Sequence, residues 1–362
     1  MTLGLDETIQ RILISTTSRF FGAYEGEDVA VDHAWPSMND QSGALRWEPS
    51  PISRSTYMLS FRTEPLVKKP GVVIPNYEYV GDVVAAAMAV LFGKRTDNLG
   101  AVEMTGRFVM PRTGDMPWVS HPELAFNSHA VRANFPIPLN LVELRRLRPI
   151  LEENELDEDH AAAIRAFHGA ARFYQRALQA AERDPEVGYL HLITCGEILS
   201  NAQVIEPDTL LDDAARALLG RIETEMAEGR KASAFVRGRL RQIKRRYLAT
   251  FERLIDASFF ERGEAKEAYE ELRVGDFARA MSAAYDLRSR FVHTGVAFGH
   301  WIAPRRGNAA RQVGKPVVED KEMSAILERA PTFAGLERIT RYALLRFGET
   351  IGIDLEILPP AE

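Results

Sequence analysis

The strongest constraint on this chain is a change of hydrophobic period part-way along it. From Leu156 onward apolar residues recur every three or four positions, and Ile164, Phe167, Ala171, Tyr174 and Leu178 form one stripe of a long helix. Asp184-Pro185 then supplies a cap followed by proline at the first helical position. This predicts a second helix carrying Leu190 and Ile193. Leu210–Glu228 reads as helical, as does Ala232–Asp256 with the stripe Val236, Leu240, Ile243, Tyr247 and Leu254. A further helix is expected from Phe277 to about His293, stopped by Thr294-Gly295. Trp301–Lys315 reads as a loop and Thr332–Phe347 as a closing amphipathic helix.

The first 150 residues have another texture, rich in glycine and proline and built of short segments. Tyr57–Arg62 and Val102–Met110 alternate at period two and read as strands, with Gly71–Pro75 as another. Gly81–Leu91 is apolar nearly all round, the pattern of a helix buried on every side. The expectation is an α+β domain over residues 1–150 followed by an all-α domain over 151–362, with the boundary near Pro149 or the acidic stretch Glu152–Asp159.

Several classes are excluded. The longest unbroken apolar run, Val83–Phe92, has ten residues, against the ~20 needed to span a bilayer. The N-terminus lacks the basic and apolar regions of a secretion signal. Cys195 is the sole cysteine, so no internal disulfide or multi-cysteine metal cluster can form. A reducing, cytoplasmic location without membrane contact is expected. No Walker A loop, G-x-G-x-x-G, H-E-x-x-H or C-x-x-C occurs, and no metal or cofactor is expected.

Net charge is −6, unevenly spread: residues 151–229 carry −11 and residues 230–318 carry +10. Within Arg230–Arg246 there are eight basic residues and no acidic one, which makes Arg237, Arg241, Lys244 and Arg245, with Arg290 further on, candidates for a nucleic-acid footprint. The competing reading is a solvated helix face neutralised by the acidic segment before it.

Three residues of the helical half invite chemistry. Arg288 falls on the apolar stripe Phe277, Ala280, Met281, Ala284, Phe291 and needs an anionic partner. Glu197 faces inward on its own helix and can be that partner; a plain structural ion pair explains both equally well. His293 follows Arg288 by five residues, about 140° around an ideal helix. The two converge only if the helix ends or distorts between them, or if a second chain brings its own copy. A lone histidine at a helix end is ordinarily a cap on the dipole.

The spacing Arg-x4-His alone says little, since it is about as frequent as the residue counts give by chance. Its context says more. Tyr285-Asp286-Leu287-Arg288-Ser289-Arg290-Phe291-Val292-His293-Thr294-Gly295 closes a helix in an all-helical half and resembles the Arg-x(4–6)-His signature of the HEPN superfamily, in particular its Apea-like branch. Phe173–Leu178, Asp184–Leu192 and Gly196–Ser200, with Glu197 and Leu199 matching a Glu-x-Leu pattern, are similar to that branch's first two helices. The chain departs from the pattern by inserting Thr294 before the glycine. The resemblance covers about residues 156–350 and leaves 1–150 without a family.

The resemblance implies a HEPN-like helical bundle that dimerises through the helical domain and sets two Arg/His pairs across a composite cleft, as in metal-independent ribonucleases. It further implies RNA as substrate, His293 as general acid or base, Arg288 as phosphate clamp, Ser289 as an auxiliary polar group and Glu197 orienting Arg288. The product would carry a 2′,3′-cyclic phosphate, and the setting would be prokaryotic defence or toxin-like growth restriction. Residues 1–150 would then sense a trigger or bind a regulatory partner. The nucleotide-transferring HEPN variant needs a tyrosine two residues after the histidine; Gly295 stands there. Two other readings stay open: a non-catalytic HEPN-fold dimer that binds nucleotide, RNA or protein, and an activity in the N-terminal domain with the helical half as platform.

Overall fold

The computed structural model describes residues 8–16, 18, 20–34, 55–63, 76–104, 107–108, 137–151, 158–181, 183–239, 242–304 and 308–355. An antiparallel sheet comes first: β1 (Thr8–Thr16), β2 (Tyr24–Glu25), β3 (Val29–His33), β4 (Ser55–Thr63), β5 (Thr96–Met104) and β6 (Arg107–Phe108), in the order β2-β3-β4-β1-β5-β6. β1 is central and pairs with β4 from Thr8↔Thr63 to Thr16↔Ser55. Its pairing with β5 slips on either side of Ile12, a bulge that bends the strand. Within the run read as one strand over Val102–Met110, Val102–Met104 end β5 and Arg107–Phe108 form the returning β6, while Thr105, Gly106, Val109 and Met110 lie outside the described residues. Gly71–Pro75 lies outside the described residues.

Twelve α-helical segments follow or interleave among the described residues. They are α1 (Glu78–Phe92), α2 (Arg148–Leu151), α3 (Glu158–Ala180), α4 (Pro185–Ala202), α5 (Asp213–Glu225), α6 (Gly229–Arg239), α7 (Ile243–Leu254), α8 (Ala257–Glu261), α9 (Phe277–Thr294), α10 (Gly299–Ile302), α11 (Lys321–Arg329) and α12 (Phe333–Glu349). The chain is thus α+β and then mainly helical. The expected start of α4 is realised by Asp184, whose carboxylate accepts from Val187 N at 3.1 Å. The long helix expected over Ala232–Asp256 is divided: α6 and α7 are separated at Gln242, whose φ is +42°. No described helix is long and apolar enough to cross a membrane.

The two textures along the chain do not enclose two cores. One apolar core runs from Ile12 through α1, α3, α4, α7, α9 and α12 to Leu355. α1 lies between the sheet and the helices α3 and α12, so every residue from Val84 to Phe92 is buried. A helix covered on both sides has no use for a polar face, which explains its composition.

α12 corrects its sequence reading. Expected as an amphipathic closing helix, it is buried almost throughout, and Glu337, Arg338 and Arg341 face inward to named partners. Glu337 accepts from the Tyr174 hydroxyl, Arg338 donates to Phe259 O and to Arg262 O (2.7 Å), and Arg341 donates to Val90 O (2.8 Å) and Leu91 O (2.6 Å). Arg341 thereby caps the C-terminal carbonyls of α1, which would otherwise be buried without donors. Replacing it by leucine keeps the bulk but removes the donors. Arg341→Leu is expected to lower unfolding free energy by about 2–4 kcal/mol in a urea titration. An unchanged midpoint would show that the cap contributes nothing.

Candidate functional site

α9 carries the candidate residues and is held from several sides. Its C-terminus is where the sequence put it. Gly295 adopts φ +67° and its N–H bonds Phe291 O at 2.8 Å, a left-handed cap that favours glycine. Beyond it Glu186 of α4 accepts from the backbone N–H groups of Phe298 and Gly299, the latter at 2.6 Å, while the Phe298 ring packs edge-on against Phe291. Lys244 of α7 bonds Asp286 at 2.5 Å. Arg290 bridges to Asp320 and, at 2.9 Å, to Glu322, both beside or within α11.

The stripe position of Arg288 has the partner that burial demands. Its Nη2 lies 3.3 Å from Oε2 of Glu197 on α4, and the two side chains are 29% and 18% exposed. The hydroxyl of Tyr285 donates to the other carboxylate oxygen of Glu197 at 3.0 Å, and the Arg288 guanidinium sits 5.7 Å from the Tyr285 ring centroid. Burial and the Glu197 carboxylate push the Tyr285 phenol up to about 12, so it remains a donor at neutral pH. Tyr285 was visible in the motif but had no assigned task. Its place three residues before Arg288, on the same helix face, is the signal that ties it to the carboxylate.

Behind this triad stands a close helix crossing. Tyr247 of α7 is fully buried, its ring 5.3 Å from that of Tyr285. Gly196, next to Glu197, lets α7 approach: a Cβ there would meet Phe251 and Tyr247 ring carbons at 2.5 and 2.6 Å. Cys195 is buried beside it, and burial raises its thiol far above the ordinary range, leaving it an inert packing group.

His293 is exposed in the last turn of α9, flanked by exposed Val292 and Val296. Ser289 is half-buried. The helix runs unbroken from Phe277 to Thr294, so neither an early end nor a distortion turns Arg288 and His293 toward each other. Within one chain they project about 140° apart.

Most of the described cations of the basic cluster are paired rather than free. Arg237 bridges to Asp208 and to Glu223 (3.0 Å), Arg245 to Asp212 (2.6 Å) and Lys244 to Asp286. Arg246 donates to Ser200 O and Gln203 O, both at 2.9 Å, closing the C-terminus of α4. Arg241 lies outside the described residues. Three of the four carboxylates come from the acidic segment 151–229, as the competing reading held. Arg290 too is committed, to Asp320 and Glu322. The nucleic-acid footprint expected at Arg237, Lys244, Arg245 and Arg290 thus falls on cations that each have a neighbouring carboxylate as partner.

No family model, curated protein or solved structure matches this chain.

Gly196→Ala tests the crossing beneath the site. The added methyl has two aromatic rings in its way, so a loss of about 1–3 kcal/mol in thermal or urea unfolding is expected, and Gly220→Ala, whose Cβ meets nothing within 4 Å, serves as the control that should not destabilise.

Proposed function

We propose that this chain is a metal-independent endoribonuclease of HEPN type that works as a homodimer. The observation that carries the reading is the Tyr285–Glu197–Arg288 triad, which fixes a guanidinium at the surface of the helix that ends in an exposed imidazole. Such a guanidinium can clamp a phosphodiester while charge builds on its oxygens, and histidine can move a proton at neutral pH. Glu197 orients Arg288, with Ser289 as a further polar contact. Because Arg288 and His293 diverge on one straight helix, the pairing needs a second copy, with His293 of one protomer approaching Arg288 of its partner. The chemistry is attack of an RNA 2′-OH on the adjacent phosphorus. The P–O5′ bond breaks, the 2′ proton goes to a base and the 5′ oxygen takes one from an acid, leaving a 2′,3′-cyclic phosphate.

In this reading the biological setting is prokaryotic defence or toxin-like restriction of growth, and the N-terminal sheet receives the trigger. A second reading has its own support. The same triad is a satisfied interhelical ion pair, and a His293 pointing away from Arg288 fits a non-catalytic dimer that binds nucleotide, RNA or protein.

Incubation of purified protein with single-stranded RNA, followed by product end analysis, separates the two. Cleavage leaving 2′,3′-cyclic phosphate ends, reduced at least ~100-fold by His293→Ala and by Arg288→Ala, is expected for the nuclease, in keeping with general acid–base and electrostatic contributions of that order. Undiminished cleavage in His293→Ala would remove the histidine from the chemistry, and RNA binding without cleavage would favour the second reading.

A further inference from the structure

With Arg237, Lys244 and Arg245 of the α6–α7 cluster paired to carboxylates, the outer face of α3 is a place where three cations in a row stand without an ion pair. Arg165, Arg172 and Arg176 follow one another at intervals of seven and four, so they share one stripe over about 16 Å of helix. All three are exposed, and among the described residues none has an ion pair. The helix carries its carboxylates only in the first turn, at Glu158 and Asp159, six or more residues before Arg165; from His160 to Ala181 there is no acidic residue. It sets Arg172 and Arg176 four apart instead, a like-charge neighbourhood that disfavours the helix unless something anionic lies across it.

An aromatic element is interleaved with this charge. Arg176 sits 5.7 Å from the ring centroid of Phe173, and Phe173 lies 5.6 Å from the ring of His191 on α4, the planes inclined at 50°. His168 lies on the same stripe. Burial lowers both imidazoles below their ordinary range, and for His191 the nearby Arg176 charge acts in the same direction while Asp184 opposes it. At neutral pH the stripe's charge therefore resides in the three arginines, and the rings are neutral stacking surfaces. Guanidinium groups in a row beside a partly exposed aromatic pair are the elements that grip a single-stranded nucleic acid, by phosphate contact and base stacking. An acidic peptide would use the charges but not the rings. The neighbouring face of α4 leads from His191 through Thr194 to Glu197, and so to Arg288.

We propose that the outer face of α3, with Arg165, Arg172 and Arg176 and the Phe173–His191 pair at its edge, is a binding surface for the backbone and one base of single-stranded RNA. It takes its ligand from the ribonuclease reading above and replaces the α6–α7 cluster as the binding face.

The test uses the full chain and a short, mixed-sequence 2′-O-methyl oligoribonucleotide, which lacks the attacking hydroxyl and so reports binding whether or not the protein cleaves RNA. Fluorescence anisotropy across a salt series is the readout, with thermal melting to verify the fold of each variant. Arg165→Gln/Arg172→Gln/Arg176→Gln is expected to weaken binding at least tenfold at moderate salt. It should also flatten the log–log salt slope by about 2, the release expected for three single-strand phosphate contacts. Phe173→Leu should weaken binding several-fold with the slope unchanged, because stacking releases no counterions. Arg237→Gln/Arg245→Gln should stay within about twofold of the unsubstituted chain. The proposal is overturned if the oligonucleotide does not bind, if the triple variant binds like the original, or if polyglutamate competes as well as the oligonucleotide and Phe173→Leu has no effect. Retained binding in a protein that cleaves no RNA would sink the nuclease reading while supporting this surface.

Discussion

The fold depends on one helix being covered on both sides. α1 has no polar face from Val84 to Phe92, so neither the sheet alone nor the helical bundle alone could keep it from water. The sheet covers one side and α3 and α12 the other, which makes the N-terminal third and the helical remainder a single packing unit. The weak point of such an arrangement is the buried helix end, where the last carbonyls have no N–H to receive. Arg341 answers that need from α12, about 250 residues away in the chain. A second polar seam lies beside it: Gln175 and Gln179 of α3 donate to Thr96 O and the Asp97 carboxylate at 2.6 and 2.7 Å, and Asp97 also pairs with Arg95 at 3.1 Å. Buried polar contacts of this kind add little net energy but reject any other seating of the sheet on the helices, since a shift would strand several groups at once.

This continuity bears on how the two parts could communicate. A trigger that altered the sheet would act directly on α1 and α3, and α3 packs closely on α4, which carries Glu197. The path from the N-terminal layer to the triad needs no flexible linker.

The candidate site follows the same logic of fixed placement. α9 is tied to α4 through Arg288 and Glu197, to α7 through Lys244 and Asp286, and to the start of α11 through Arg290. Such bracing keeps Arg288 oriented, and it also keeps His293 turned away from it. Pre-organisation within one chain and separation of the two groups are therefore the same fact, and it is this that makes the proposed nuclease reading depend on a second chain.

Much of the secondary structure was legible in the sequence because it rests on local rules. The period of three and four marked α3, α4 and α9, Asp184-Pro185 marked a start, Gly295 marked a stop, and uniform apolarity marked α1 as buried. β1 escaped because Ile12 to Thr16 are all buried, which erases the alternation that identifies a strand. α12 was misread because amphipathic spacing cannot tell water from a buried carbonyl as the destination of an arginine. The inward turn of Glu197 and Arg288 could be read from their stripes, and the spacing of Tyr285 three residues before Arg288 put it on the same face; that its hydroxyl reaches Glu197 on another helix was decided by the packing of α9 on α4. Charge shows the limit most clearly. By segment, 230–318 is the basic region and 151–229 the acidic one, yet folding lays one against the other and leaves the three arginines of α3, inside the acidic segment, without carboxylates. The sequence by itself determined which residues are charged and which face of its helix each occupies, because those depend on neighbours in the chain. Only the tertiary structure decided which charges meet, because that depends on distance across helices rather than along them.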